Sequence, residues 1–261
     1  MKKNKLLFVV VFFVTVILLQ PNVLNNVVSV FTQVDISSQL GIDSTDDKEN
    51  ESKDSEILAD LKEIEFDGTN QVLQLNNNQP TFTKKELETK DGHWEKYSNL
   101  DILNRVGQAN ALLNKQSMPI EKRKDIGHVK PSGWHNKKII FNGKTDYLYN
   151  RSHLIGFQLT GQNDKVENLF TGTRSLNANF QNQQSSMVYY ENIVANYIRN
   201  SGNHVRYQVT PIFRGMEKVC RGIRMQAQSI EDNSVSFNVY IFNVQEGYTI
   251  DYLTGYSKKV K

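Results

Sequence analysis

The pair Asn142-Gly143 constrains this chain more than any other two residues. A type I′ two-residue hairpin turn needs positive φ at both central positions, which asparagine and glycine tolerate best. Lys137 to Phe141 therefore reads as one strand and Tyr147 to Tyr149 as its returning partner. The returning strand runs into Asn150-Arg151-Ser152-His153, a polar cluster with one histidine at a strand end. Asn168 to Thr173 reads as a further short strand, and Ser175 opens a helix with Asn177 in its first turn. The expected unit is strand, loop, strand, helix. It would carry an imidazole and a neutral amide oxygen, 24 residues apart, toward one place.

The flanking segments predict an α+β domain, a mixed and mainly antiparallel sheet with flanking helices. Val72 to Leu75 and Val205 to Val209 alternate as strands, and Ile223 to Ala227 and Val235 to Val244 add two more across Glu231-Asp232-Asn233. Thr83-Lys84-Lys85-Glu86 has the spacing of a capping box, and Leu100 to Leu113 suggests a helix over its second half. Met187 to Asn200 predicts about four helical turns, with Met187, Tyr190, Val194, Tyr197 and Ile198 on one face. Glu191 shares that face, so its carboxylate turns inward and needs a partner.

Met1-Lys2-Lys3-Asn4-Lys5 precedes fourteen residues, Leu6 to Leu19, that are apolar apart from Thr15. That is an export signal, short for a membrane span of roughly 20 residues. No small-x-small cleavage site follows, so residues 1–24 are expected to be a signal peptide or an uncleaved membrane anchor, with the body outside the cell. Residues 43–67 hold eleven acids and three lysines, and residues 25–65 are expected to be a disordered acidic linker before a domain at 66–261. Residues 68–261 carry a net charge of +9, which suits a polyanion such as nucleic acid. Cys220 is the sole cysteine, so intramolecular disulfides and four-cysteine zinc sites are excluded.

His153, with an ordinary pKa near neutrality, suits a general base, although any one of five histidines is more often a surface or capping residue. Asn177 offers the single neutral oxygen that Mg²⁺ accepts while keeping most of its water, or it caps its helix. Asn168 could hold the backbone at the strand start. Glu191 could orient Asn177 or a metal-bound water, or be a satisfied core carboxylate.

Asn150-Arg151-Ser152-His153, then Asn168 to Asn177, then Tyr189-Tyr190-Glu191, together resemble the non-specific DNA/RNA endonucleases of the ββα-metal superfamily. The likeness is greatest to DNA-entry nucleases and streptodornase-type DNases, and it covers roughly residues 95–256. It implies a ββα-metal motif in which His153 is the general base, Asn177 the direct Mg²⁺ ligand (Mn²⁺ may substitute) and Glu191 the acid beside the hydrated metal. Asn168 matches the supporting asparagine and Arg151 the motif arginine. Asn150 and Ser152 replace the aspartate and glycine of many members. The implied activity is hydrolysis of DNA, with RNA left open, to 5′-phosphate ends. Lys130, Lys137, Lys138, Lys144, Arg174 and Arg206 are candidates for the phosphate track. No obligate protein partner is implied, and the membrane is a partner only through an uncleaved N-terminus.

Two other readings stand beside this one. A surface DNA-binding or uptake protein could use the same fold without catalysis. A hydrolase pairing His153 with serine lacks the Gly-x-Ser-x-Gly elbow.

Overall fold

The computed structural model describes residues 45–260. The chain divides into two compact units, Met1–Lys48 and Glu49–Lys261, and only 45–48 of the first are described. Residues 1–24, expected to be a signal or anchor, lie outside the described residues. Among those described, no helix is long and apolar enough to cross a membrane.

The fold is α+β around a six-stranded antiparallel sheet. Its strands are β1 (Val72–Gln74), β2 (Trp94–Tyr97), β3 (Ala109–Leu113), β8 (Val205–Ile212), β9 (Gly222–Ser229) and β10 (Ser236–Phe242), ordered β1-β10-β9-β8-β3-β2. Period-2 alternation gives the sheet two different faces. One presents Ala109, Ala111, Leu113, Val205, Tyr207, Val209, Met225, Phe237 and Val239 to the main core. The long helix α4 (Met187–Ser201) closes that core with Met187, Val194, Ala195 and Ile198, its predicted apolar face. Cys220 is buried here, and burial pushes its thiol up to about 12.

The Asn150-Arg151-Ser152-His153 motif lies in a separate pair of short strands, β6 (Tyr149–His153) and β7 (Leu169–Thr173), registered Tyr149 with Thr173 and His153 with Leu169. The Asn142-Gly143 hairpin forms as read, with φ of 53° and 73°, between β4 (Lys138–Phe141) and β5 (Lys144–Tyr147). Its returning strand stops at Tyr147, because the Leu148 amide and carbonyl turn to Lys137 and Arg174. The motif thus forms a strand of its own instead of a loop. Between β6 and β7 stands α2 (Phe157–Thr160), and α3 (Arg174–Asn177) follows β7. The hairpin β11 (Tyr248–Ile250) and β12 (Ser257–Lys259) ends the fold.

Two expectations fail. The second half of Leu100 to Leu113 is β3, not helix, because Ala109, Ala111 and Leu113 alternate into the core between two partner strands. The acidic stretch is also ordered in its second half, as α1 (Thr45–Asp60). Asp46 and Asp47 sit in its first turn, where negative charge complements the helix dipole. Asp54 accepts from Arg224 at 2.6 Å and from the Thr81 hydroxyl at 2.5 Å, while Leu61 packs with Ile57, Leu58, Tyr240 and Phe242. Asp54 is held because it neutralises Arg224 on the second sheet face. Glu65 likewise pairs with Arg214 and Arg221.

Candidate active site

His153 ends β6 with its side chain almost fully buried, 6 % exposed. Its Nε2 stands 2.8 Å from the Asn163 carbonyl oxygen. A carbonyl can only accept, so Nε2 carries the proton and Nδ1 keeps the lone pair. Burial pushes the imidazole down to about 4; the Asn163 bond opposes this and the charge of Arg123 adds to it. At neutral pH the ring is therefore an uncharged base of fixed tautomer.

Asn168 is fully buried. Its Nδ2 donates to the Ile155 carbonyl at 3.0 Å, its Oδ1 accepts from the Ile155 amide at 2.9 Å, and its main-chain oxygen accepts from Leu154. One asparagine thus clamps the two residues that follow His153. Fully enclosed, it presents no exposed atom to a ligand.

Asn177 is the last residue of α3, whose N-cap is Thr173, its hydroxyl accepting from the Leu176 amide at 3.1 Å. Asn177 is not the cap. Its half-buried side chain makes no hydrogen bond among the described residues. Those residues also hold no group of three or more His, Cys, Asp or Glu suited to a metal ion. A free amide oxygen fits a hard divalent cation that keeps most of its water.

Glu191 comes from α4 and is 7 % exposed. Its carboxylate lies against the backbone at Gly156, where a Cβ would fall 2.4 Å from Oε2 and 2.7 Å from Oε1. Burial pushes this carboxyl up to about 7, opposed by a hydrogen bond from Gln158 and by the Arg123 charge. Arg123 thus acts electrostatically on both His153 and Glu191 while remaining exposed and making no hydrogen bond or ion pair among the described residues. Sequence reasoning missed it. The available signal was the run Lys122-Arg123-Lys124, pinned to the site by the Lys124 amide on Asn163 Oδ1 at 3.1 Å.

Arg151 turns toward the protein. Its guanidinium donates to the carbonyls of Val129 and, at 2.6 Å, Gly127, and stacks 4.4 Å over the Trp134 ring. Asn150 Oδ1 and Ser152 Oγ, at the two motif positions that depart from the family pattern, are buried without a hydrogen-bond partner among the described residues.

The basic candidates separate into three kinds. Lys130, Lys138 and Lys144 are exposed. Lys137 reaches the Ser257 carbonyl at 2.8 Å, and Arg174 is held by Asp146 at 2.6 Å and by the Ala178 carbonyl. Arg206 must be withdrawn from the phosphate track. It is 3 % exposed on the sheet face away from the main core, between Phe82 and Trp94, bonded to Asn110 and Glu86. The alternation that turns Val205 and Tyr207 toward the main core turns Arg206 away.

Three positioning residues lie near the C-terminus. Asn243 Nδ2 donates to the carbonyls of Thr171 and Cys220, both at 3.0 Å, and its Oδ1 accepts from the Thr173 amide at 2.8 Å. The Val244 carbonyl accepts from the Thr173 hydroxyl, and Gln245 Oε1 from the Ser175 amide. The second strand of the motif and the start of α3 are hung from this tripeptide.

This arrangement has counterparts among known proteins. The fold is similar to the crystal structure of NucA from Streptococcus agalactiae with magnesium ion bound, at 27 % identity and TM-score 0.64, over 72 % of this chain and 88 % of that one. It is also similar to the Sda1 nuclease with bound zinc ion, at 27 % identity and TM-score 0.57, over 64 % of this chain and 80 % of that one. An extracellular endonuclease at 24 % identity and TM-score 0.53 shares the fold over 72 % of this chain and 96 % of its own. The family model for DNA/RNA non-specific endonuclease matches residues 84–231, more than half of the chain. The protein therefore belongs to the DNA/RNA non-specific endonucleases, hydrolases of nucleic-acid phosphodiesters.

Proposed function

We propose that this chain is an exported endonuclease, dependent on a divalent metal, that cuts DNA with His153 as general base and leaves 5′-phosphate ends. The observation that carries the reading is the bond from His153 to the Asn163 carbonyl, which leaves Nδ1 unprotonated in a desolvated setting. Nδ1 takes a proton from water as that water's oxygen bonds to phosphorus. The bond from phosphorus to the 3′ oxygen breaks on the opposite side, and the leaving oxygen takes a proton from solvent. Asn177 would hold the metal through its amide oxygen, and Mg²⁺ bound there would supply Lewis-acid neutralisation of the phosphate. Glu191, buried beside Gly156, orients groups around that ligand. Arg123, with Lys130, Lys138 and Lys144, supplies positive charge along the backbone of the substrate, which carries no base information.

Export is supported by the N-terminal basic-apolar pattern and by the extracellular character of a protein that shares this fold. The direct test incubates purified protein with supercoiled plasmid and Mg²⁺. Cleavage should cease with EDTA, return with added Mg²⁺ or Mn²⁺, and be absent in a folded His153→Ala protein. An alanine protein that nicks at the wild-type rate would remove His153 from the mechanism. Retardation of intact plasmid by the wild type would favour a silent DNA-binding protein.

A further inference from the structure

Beside the motif strand lies a recess of about 410 Å³ lined by Trp134, Asn136, Tyr147, Tyr149, Asn150 and Arg151. Most of its wall is already fixed. Asn136 spends its amide on the backbone of Lys137 and Tyr149, and the Tyr149 hydroxyl donates to the Gly255 carbonyl. Arg151 is anchored by two carbonyls and holds the Trp134 ring against its guanidinium.

Two lining groups are uncommitted. Tyr147 is 50 % exposed and its hydroxyl makes no hydrogen bond among the described residues. The Asn150 amide makes none either, although its Oδ1 is buried. An exposed aromatic face next to an amide nitrogen with two donors matches the π-face of a nucleobase and an acceptor on its edge. Arg151, in the wall of the recess, and His153 are two apart on β6, at roughly 6.6 Å of rise, so the recess lies beside the strand that ends in His153.

We infer that this recess is a nucleobase subsite that receives one unstacked base of the strand being cut, with Tyr147 as the stacking surface and Asn150 on the base edge. The inference rests on the nuclease reading and extends it to substrate form. A base inside a duplex is stacked on both faces and must be extruded at a cost before it can enter. Single-stranded or locally melted DNA is therefore the preferred substrate class.

The chain has two tryptophans, Trp94 and Trp134, so Trp94→Phe in a His153→Ala background leaves Trp134 as the sole reporter. This protein is titrated with a short single-stranded oligothymidylate in EDTA, and binding is read independently from the anisotropy of a labelled strand. Trp134 fluorescence should change in step with anisotropy. Adding Tyr147→Ala should raise the half-saturating concentration about tenfold, as for one lost base–aromatic stack, while Tyr147→Phe should leave it near the parent value. In otherwise wild-type enzyme, Tyr147→Ala should reduce kcat/KM on single strands more than on duplex. Binding with no change in Trp134 emission, or cleavage by Tyr147→Ala with an unchanged single-strand to duplex ratio, overturns the subsite alone. Wild-type protein that leaves both substrates intact overturns the nuclease reading and the subsite with it.

Discussion

The carboxylate of Glu191 occupies the space that a side chain at position 156 would fill, 2.4 Å from where a Cβ would stand. Gly156 has φ −58° and ψ 144°, which any residue adopts, so the glycine is required by contact and not by backbone conformation. Gly156→Ala should displace Glu191 and lower the plasmid-nicking rate at least about tenfold, with a modest fall in melting temperature of about 1–3 kcal/mol in stability terms. Initial rates beside a thermal melt check this. Wild-type activity in the alanine protein would show that the position of Glu191 does not matter.

His153 and Glu191 should pull stability in opposite directions as pH changes. The folded imidazole titrates near 4 against an ordinary 6.5, so between these values the unfolded chain binds a proton that the fold refuses. Stability from this group falls as pH drops from 6.5 to 4. The folded Glu191 carboxyl titrates near 7 against 4.5, so the fold keeps a proton that the unfolded chain has released. Stability from that group falls as pH rises from 4.5 to 7. Each slope is at most about 1.4 kcal/mol per pH unit, and the two offset each other where the windows overlap. Urea unfolding in EDTA at pH 5 and 6.5 should show Glu191→Gln gaining stability with pH and His153→Ala losing it. Parallel profiles for both variants and the wild type would refute these assignments.

Asn243 satisfies three buried backbone groups from two segments. Asn243→Ala leaves them unpaired and should cost about 2–4 kcal/mol, given roughly 1 kcal/mol or more for each buried group stranded. Activity should fall further than the folded fraction, because β7 and α3 lose their anchor. Rates corrected for folded protein decide the point. A corrected rate equal to wild type would make Asn243 purely structural.

Asp54 and Arg224 form a largely buried pair, the arginine 1 % exposed, 170 residues apart in sequence. Asp54→Ala strands that guanidinium and should destabilise the domain by about 3 kcal/mol. A chain begun at residue 66 should be at least as unstable, while His153 and Asn177 keep their own contacts. Denaturant midpoints for the two proteins provide the comparison. A truncated chain as stable as the full one would return residues 45–65 to the role of passive linker.

What the sequence disclosed and what it hid have physical causes. The helix Met187–Ser201 was legible because one stripe of it is buried, and β8 to β10 were legible from alternating apolar positions such as Val205, Tyr207 and Val209 or Ile223, Met225 and Ala227. The segment Ala109–Leu113 misled because alanine and leucine favour helices in isolation, and only its two partner strands decide otherwise. Composition described Asp54 and Glu65 as repelling acids and Arg206 as a free cation, since pairing across a fold leaves no local trace. Arg123 and Asn243 reach the site from segments 30 or more residues away from His153, and the need for glycine at position 156 comes from the Glu191 carboxylate 35 residues on, so no local spacing rule marks them.

The anchor at residues 243–245 has an implication for how such a chain is made. Synthesis runs from the amino end, and the hairpin bearing His153 emerges long before the tripeptide that steadies it. A ribosome-bound or partly threaded nuclease would thus own its reactive groups without the clasp that aligns them. Alignment would arrive only once residues 243–245 have emerged, so competence and near-completion of the polypeptide would coincide.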